Sequence, residues 1–357
     1  MFKKEIIGLM SGTSLDGLDL ARVEFIREDQ KTLFNLKETD TIPYPKEILK
    51  QLQQINSLNI STLQVLDKLI GDFFGQQINA FILKNKIDKN KIDAIASHGQ
   101  TILHQPENGF TLQIGCGSTI AYLTGIDVIN DFRTLDVIAG GQGAPLVPIG
   151  DFDLFTEEAE SFLNIGGFCN ISFKDAKCIK AFDICPGNLP LNFFANKLGY
   201  DFDPNGSLAQ KGILNKDMLQ ELNSISFYKK NEPKSLGTEW LDKNFYTKCN
   251  VNEAGENILH TVSVHIAHQI INCLNQNKLD SVFVTGGGVK NKFLISLITD
   301  SYKGSVIIPK DDFIDFKEAL VFAYLGYKYL LNESNNVTSV TGAKRSLSLG
   351  VLHKPGY

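Results

Sequence analysis

The chain opens with three runs of apolar, β-forming residues at positions 3–10, 18–26 and 31–42. Turn-forming Gly, Asp and Gln separate the runs, so the pattern predicts an antiparallel meander of three strands. A long helix is predicted next, because from Ser61 onward apolar residues recur at the spacing of one helix face. Ser61 and Gln64 have the spacing of a capping box at its start. The apolar positions are Leu63, Leu66, Ile70, Phe73, Phe74 and Phe81.

Two short apolar strands with the character of a buried parallel sheet follow at 92–99 and 127–131. The same order then recurs in the second half of the chain, with three strand runs, an insertion at about 187–255, a helix and two more strands. The helix is marked by the stripe Ile258, Val262, Ile266, Ile270 and Leu274. The repeated strands lie at 161–167, 169–173, 177–184, 281–287 and 305–309. The chain therefore contains one structural unit twice.

A meander of three strands followed by alternating helices and strands is typical of the ribonuclease-H-like domain. Two copies predict the α/β fold of the actin-like ATPases. Ligands of such sheets bind beyond the strand ends, so the active site is expected in a cleft between the two domains. The predicted division gives residues 1–135 and 346–357 to the first domain. Residues 136–345 form the second domain and include the insertion.

The composition narrows the class of protein. With 357 residues, 43% of them hydrophobic and 21% charged, the chain is long enough for two globular domains, and no run reaches the roughly 18 to 20 apolar residues that span a membrane. The formal net charge of -5 and the lack of a basic cluster argue against nucleic-acid binding. Six scattered cysteines without a C-x-x-C pair argue against a zinc site and fit a reducing cytoplasm.

Each half carries a glycine-rich turn between its first two strands, at 12–17 and 166–170. Glycine lets backbone amides crowd around an anion, and Thr13, Ser14 and Asn170 add further donors. Two such turns facing each other predict a clamp for a polyphosphate. The simpler alternative, in which each turn is only a tight hairpin, is weakened because both turns lie at equivalent positions of the repeat. A Walker A loop is absent from the sequence.

Other segments suggest the remaining contacts. A third glycine cluster at 286–288 ends a strand and precedes a helix, which suits a nucleoside, although a plain strand-to-helix turn is the alternative.

Asp183 ends a strand before Pro-Gly and is the candidate base for the attacking oxygen, although it could instead cap the next segment. His98 and Arg133 lie in polar segments that suit a sugar. Their alternatives are a structural histidine and a surface ion pair.

Together these residues resemble the anhydro-N-acetylmuramic acid kinase family over almost the whole chain. The matching segments are GLMSGTSLDGLDLA (8–21), SHGQTILHQP (97–106), DFR with GGQGAPLVP (131–148), LNIGGFCNIS (163–172), FDICPGN (182–188), TGGGVKN (285–291) and VTGAKR (340–345). The resemblance implies an enzyme of peptidoglycan recycling that uses ATP and water. Its reaction would convert 1,6-anhydro-N-acetylmuramic acid into N-acetylmuramic acid 6-phosphate, while ATP is converted into ADP.

The resemblance also implies residue roles. Asp183 would activate the water that attacks C1, and the oxygen released at C6 would attack the γ-phosphate, so a separate glycosidase acid is not required. Glu318 falls where the family has a glutamate on the anhydro ring, with a solvated helical residue as the alternative. The implied substrate contacts are His98, Arg133, Gly187, Asn188 and Glu318. The implied nucleotide contacts are Gly12, Thr13, Ser14, Leu15, Asp16, Gly17, Leu18, Asp19, Gly166, Gly167, Asn170, Gly286, Gly287 and Gly288.

Mg²⁺ is expected with the nucleotide because it neutralises the β- and γ-phosphates, but no metal ligand is assigned. Two departures from the family pattern, Thr238 where relatives commonly have Arg and the pair at 150–151, concern the substrate side. Two rival functions stay open, an ordinary sugar kinase without ring cleavage and a non-catalytic, nucleotide-driven binding protein. Whether the protein forms a homodimer also stays open.

Overall fold

Both sheets of the protein are built around a central strand whose neighbours repeat in the same order. The computed structural model describes residues 2–12, 15, 17–29, 31–55, 58–176, 178–232, 234–250 and 252–356. Its strands are β1 (Phe2–Ser11), β2 (Leu18–Glu28), β3 (Lys31–Ile42), β4 (Ala94–Gln105), β5 (Phe110–Ile114), β6 (Val128–Asn130), β7 (Ser161–Ile165), β8 (Phe168–Lys174), β9 (Ile179–Pro186), β10 (Ser281–Thr285), β11 (Ser305–Ile307) and β12 (Val351–His353). Its α-helices are α1 (Lys46–Gln53), α2 (Ile60–Lys84), α3 (Gly117–Thr124), α4 (Thr134–Ile138), α5 (Pro148–Leu154), α6 (Asn188–Lys197), α7 (Ser207–Lys211), α8 (Lys216–Asn223), α9 (Thr238–Trp240), α10 (Gly255–Gln276), α11 (Lys292–Ser301), α12 (Asp311–Leu330) and α13 (Thr338–Thr341).

The first sheet has the order β12-β6-β4-β1-β2-β3, and β5 pairs with β4. Its central β1 is antiparallel to β2 and parallel to β4. The second sheet has the order β11-β10-β7-β8-β9, in which β7 is antiparallel to β8 and parallel to β10. In both sheets an antiparallel meander continues into parallel strands on its other side. The predicted α/β fold of duplicated ribonuclease-H-like domains is therefore confirmed.

The chain divides into two compact units, Met1–Leu154 with Phe316–Tyr357, and Phe155–Asp315. These bounds differ from the predicted ones at 135 and 345, because α5 and most of α12 belong with the first sheet. Gly8 of β1 shows how closely α12 approaches that sheet, since a Cβ atom there would collide with the Ala319 carbonyl oxygen. The absence of a side chain at Gly8 is what allows this contact.

The core of the first unit contains the predicted helix α2. Leu66, Ile70 and Phe74 are fully buried against strands of the first sheet, as the apolar stripe predicts. The predicted capping box is wrong, because Ser61 lies inside the helix. The cap is Asn59, whose side chain accepts a hydrogen bond from the Thr62 amide at 2.9 Å.

The second unit packs its insertion against α10. The five apolar residues predicted along this helix are all buried. The insertion contains α6 to α9, and α6, α7 and α8 contact α10. The hydroxyl of Tyr228 lies 2.9 Å from Nε2 of His265, which is a polar contact between the insertion and the helix. The insertion is therefore a part of this domain's core.

Two further observations concern the cysteines and the apolar character of the helices. All six cysteines are free thiols. Within the described ranges, none of the helices combines the length and apolar character that crossing a membrane requires.

Candidate active site

The turn after β1 is anchored to two neighbouring segments. The Ser11 hydroxyl hydrogen-bonds with the Tyr44 hydroxyl at 2.6 Å and donates to the side-chain carbonyl of Gln100. Gln100 also donates through Nε2 to the Gly12 carbonyl at 3.3 Å. Neither Tyr44 nor Gln100 was singled out in the sequence, because their partners are 33 and 89 residues away. These hydrogen bonds therefore hold the start of the predicted loop in place.

The rest of this loop is only partly described. Thr13, Ser14 and Asp16, all predicted nucleotide contacts, lie outside the described residues. Gly17 closes the loop against β3, where a Cβ atom would lie 2.6 Å from the Ile42 carbonyl oxygen. Leu18 and Asp19 are the first residues of β2. The loop is thus held at both ends by the first sheet.

His98 and Arg133 come together beside this turn. His98 is 5% exposed, and its Nε2 accepts hydrogen bonds from Nε and Nη2 of Arg133 at 3.0 and 2.9 Å. Its Nδ1 lies 3.3 Å from the Ser11 carbonyl oxygen, to which it can donate. Burial and the charge of Arg133 lower the pKa of His98 to about 3. The imidazole is therefore neutral, with its proton on Nδ1.

Arg133 also reaches the segment that follows it. Its Nη1 donates to the Gly143 carbonyl at 2.6 Å. Burial lowers the pKa of Arg133 to about 10, while Glu318 and Asp136 act in the opposite direction. The guanidinium stays charged at neutral pH, so a partly buried positive charge lies next to the β1–β2 turn of the same unit.

Asp136 is a fully buried carboxylate that the sequence interpretation missed. Its Oδ2 accepts from the Gly143 amide at 2.8 Å, and its Oδ1 accepts from Asn336 and Thr341 at 3.0 and 2.8 Å. It joins the GGQGAP loop to the start of the VTGAKR segment. Two motifs that are about 200 residues apart along the chain are thus joined by hydrogen bonds. Arg133 bonds the Gly143 carbonyl and His98, so His98 is connected to the same hydrogen-bond network.

Glu318 lies in α12, one helical turn before Phe322. The ring of Phe322 packs against that of His98, with 4.6 Å between ring centroids, so the glutamate belongs to the same region of the first unit. Its side chain is exposed to solvent. The pKa of Glu318 is raised, mainly by the surrounding protein atoms. The charges of Arg133 and Lys317 act to lower this pKa, and the charge of Asp19 acts to raise it. A carboxylate next to Arg133 with access to solvent can meet a ligand.

In the second unit Asp183 lies opposite Asn170 on the paired strands β8 and β9. A β-bulge follows at once, because the next pair is Cys169 with Cys185. Bulges re-aim side chains and are frequent next to active sites. Here Asp183 and Asn170 are direct cross-strand partners at the edge of the bulge.

Asp183 is also held by the insertion. Its Oδ2 accepts a hydrogen bond from the Leu236 amide at 2.8 Å, and its own amide donates to the Lys234 carbonyl at 3.0 Å. Burial raises the pKa of Asp183, and the Leu236 amide lowers it. Its other carboxylate oxygen accepts no hydrogen bond from any residue that the structure describes. A basic carboxylate with one oxygen fixed and one available is suited to general base chemistry. Thr238 of the same segment is exposed and begins α9.

The glycine turn of the second unit is joined to the Pro-Gly-Asn turn. The amides of Gly187 and Asn188 donate to the carbonyls of Gly167 and Gly166, both at 2.8 Å. The Gly166 amide donates to Phe168, so these three amides are engaged within the protein. Gly187 leaves no room for a Cβ atom, which would collide with the Gly166 carbonyl. Its glycine is explained by this packing.

The third glycine cluster packs on the end of β7. Gly286 has a φ of 87°, and a Cβ atom there would lie 2.5 Å from the side-chain oxygen of Asn164. Gly288 is similarly closed by Ile165. Gly287 is open, because the nearest neighbour of a Cβ atom would be the Asn188 side-chain nitrogen at 3.9 Å. The structure thus brings Gly286–Gly288 and Asn188 to the same end of the second sheet.

The described carboxylates were compared with the ligand sets that metal ions require. Among the described residues, no three His, Cys, Asp or Glu side chains come together as possible ligands of one ion. Mg²⁺ in nucleotide sites keeps several waters and is held by phosphates and one or two carboxylates, so the residues present fit that kind of ion.

Comparisons with known proteins agree along the whole chain. The family profile described as anhydro-N-acetylmuramic acid kinase matches residues 4–355. A protein of that name from Francisella tularensis subsp. novicida is 38% identical over 375 residues, covering 98% of this chain and 98% of that protein. The protein of the same name from Haemophilus influenzae is 36% identical, with 97% of each chain covered. That from Bacillus cereus is 34% identical, covering 98% of this chain and 99% of its own.

Proposed function

The chain belongs to the anhydro-N-acetylmuramic acid kinase family, and on this basis we propose how its own residues carry out the reaction. The protein is an ATP-dependent kinase that hydrolyses the 1,6-anhydro ring of anhydro-N-acetylmuramic acid and phosphorylates O6. The products are N-acetylmuramic acid 6-phosphate and ADP.

Asp183 is the general base of this reaction. Its Oδ2 is fixed by the Leu236 amide, and its burial raises the pKa, which makes the ionised carboxylate a better proton acceptor. A water molecule loses a proton to Asp183 and forms a bond to C1, and the bond from C1 to O6 breaks. The electron pair stays on O6, which attacks the γ-phosphorus while ADP leaves. The proton on Asp183 then passes to solvent.

The substrate is held on the side of the first unit by Arg133 and Glu318. Arg133 is charged at neutral pH and is oriented by His98 and Gly143, so it can meet the carboxylate or a hydroxyl group of the sugar. Glu318 accepts hydrogen bonds from hydroxyl groups of the anhydro sugar. His98 acts through Arg133, since its Nε2 is occupied by the guanidinium. Asn188 contributes its side chain from the second unit, and Gly187 gives the turn its shape.

The nucleotide is bound by the glycine turns. The β1–β2 turn, Gly12 to Asp19, and Gly167 with Asn170 contact the phosphates. The open face of Gly287, between Gly286 and Gly288, receives the nucleoside. The amide of Gly166 is engaged with Phe168, so Gly166 contributes through the conformation of its turn.

Mg²⁺ accompanies ATP in this proposal. Asp183 is the described carboxylate that would hold it, through water. When bound, the ion neutralises the charge that the β- and γ-phosphates develop. The scattered free thiols agree with a cytoplasmic enzyme. Its partner in the reaction is the small amino sugar. Binding of nucleic acid or membranes forms no part of the proposal.

The test is incubation with ATP and the anhydro sugar in ¹⁸O-labelled water. Label at C1 of a 6-phosphorylated product is expected, because the attacking oxygen comes from water. An ordinary sugar kinase would instead phosphorylate N-acetylmuramic acid at least as fast as the anhydro sugar. Absence of any product from the anhydro sugar would exclude the proposed reaction.

A further inference from the structure

A buried ion pair lies immediately beside Glu318. The Nζ atom of Lys317 is 2.6 Å from Oδ1 of Asp151, and the two side chains are only 6% and 5% exposed. Removing two charges from water is costly, and replacing a buried pair with apolar residues is often neutral or stabilising. Stability alone is therefore a weak reason for placing Lys317 and Asp151 here, and a role in fixing one particular arrangement is the better explanation.

The pair connects one face of α12 to α5. Successive helical residues point about 100° apart, so a Lys317 side chain that is fixed toward α5 also fixes the direction of Glu318. Asp151 is the α5 residue that fixes it. Without this contact the first turns of α12 could rotate, and the carboxylate of Glu318 would move with them.

Two glycine contacts restrict the same helix. Gly150, the neighbour of Asp151, leaves no space for a side chain, because a Cβ atom would lie 2.5 Å from Cγ2 of Val321. Gly8 of β1 is closed by the Ala319 carbonyl in the same way. The glycines fix the distance of α12 from α5 and from β1, whereas the ion pair fixes its rotation.

We propose that the Asp151–Lys317 ion pair positions Glu318 for its contact with the anhydro ring. Both members are positioning residues that act through Glu318. This inference rests on the proposed function, in which Glu318 binds the substrate.

The main test compares D151N, K317M and the double variant D151N/K317M with the unaltered enzyme. Each single variant removes one of the two opposite charges of the buried pair, so both are expected to unfold at a lower temperature. The double variant removes both charges, and its melting temperature is expected to return close to that of the unaltered enzyme. Its kcat/KM for the anhydro sugar is expected to stay low, by on the order of tenfold to a hundredfold, because Glu318 is still misplaced. Its KM for ATP is expected to change by less than about twofold.

Recovery of activity in parallel with stability would overturn the proposal, since the pair would then serve the fold alone. The double variant keeps this test decisive even if a single variant does not fold. A matched control removes the exposed pair of α2, Lys68 with Asp72, whose charged atoms also lie 2.5 Å apart. The K68M/D72N variant is expected to keep both the melting temperature and the activity.

A second measurement asks whether the pair acts through Glu318. In an E318Q background, adding D151N/K317M is expected to reduce kcat/KM for the sugar by less than about twofold, because the carboxylate to be positioned is already gone. A full, multiplicative loss would overturn the proposal. If the unaltered enzyme does not turn over the anhydro sugar, the proposed function fails and this inference falls with it. If it does, only the role of the ion pair is at stake.

Discussion

His98 accepts two hydrogen bonds from Arg133, at 3.0 and 2.9 Å, through the same ring nitrogen. A protonated imidazole has no acceptor, so the contact requires the neutral ring. Its other nitrogen then carries the proton and faces the Ser11 carbonyl. The histidine is therefore a fixed acceptor that aims the guanidinium, and it is unavailable as a proton donor near neutral pH.

Replacing Arg133 with Lys is expected to weaken sugar binding. A lysine has one donor group and cannot reach His98 and the Gly143 carbonyl together, so at least one partner loses its hydrogen bond. The cost of about 1–3 kcal/mol corresponds to roughly a 5- to 150-fold loss in kcat/KM for the sugar, measured by ADP release. R27K, at the opposite end of β2 from the β1–β2 turn, is the control. An R133K enzyme with unaltered kinetics would contradict the assignment.

Asp183→Asn is expected to abolish turnover. The asparagine oxygen can still accept from the Leu236 amide, so the fold is retained, but the side chain can no longer take a proton from water. Loss of a general base typically costs about 10²- to 10⁴-fold in kcat. ATP affinity, measured by calorimetric titration, is expected to stay within a few-fold. Residual activity above about a tenth would remove Asp183 from the role of base.

The stability of the protein is expected to fall as the pH drops below 6.5. Burial lowers the pKa of both His98 and His265 to about 3 from an ordinary value of 6.5. Between these two pH values the unfolded chain binds protons that the folded chain excludes, so the contribution is complete above pH 6.5 and is lost toward pH 3. The slope is about 1.4 kcal/mol per pH unit for each histidine.

Urea unfolding at pH 7, 6 and 5 measures this effect. The His98→Gln variant is expected to show a shallower pH dependence, by the share of one histidine. The unaltered protein is the comparison. Equal slopes for the two proteins would show that His98 is not buried in its neutral form.

Gly8→Ala is expected to lower both stability and activity. The added methyl group meets the Ala319 carbonyl oxygen and lies 2.9 Å from the Ala323 side chain, so α12 must move away from β1. Overpacking of this kind typically costs about 1–3 kcal/mol, which thermal unfolding detects. Adding Ala323→Gly is not expected to rescue the variant, because the closer collision involves backbone. Full rescue would show that the helix can give way at Ala319.

Local patterns in the sequence were sufficient for much of the fold. The apolar stripe of α2 and the three-stranded meanders follow from periodicity, which depends on residues only a few positions apart. The cap of α2 was misassigned because Asn59 and Ser61 are both good capping residues two positions apart, and tertiary packing decides between them. Glycine motifs similarly located the ends of the strands on which the candidate site is built.

The contacts that the sequence did not reveal share a different property. Asp136 accepts a hydrogen bond from Thr341 at a separation of 205 residues, and Asp183 accepts one from Leu236 within the insertion. Neither pair has a spacing rule, because the contact exists only after two distant segments have folded together. Long-range hydrogen-bond partners such as these are the part of the site that a single sequence could not reveal.

The hydrogen bond from the Leu236 amide to Asp183 has a consequence for protein engineering. The amide that orients this proposed catalytic carboxylate belongs to the insertion and not to the strands of the sheet. Anyone who grafts a different insertion to change the sugar acceptor also replaces the support of the base. A successful graft must therefore supply a backbone donor at the same place, and selection for new specificity should start from libraries that leave residues 234–236 untouched.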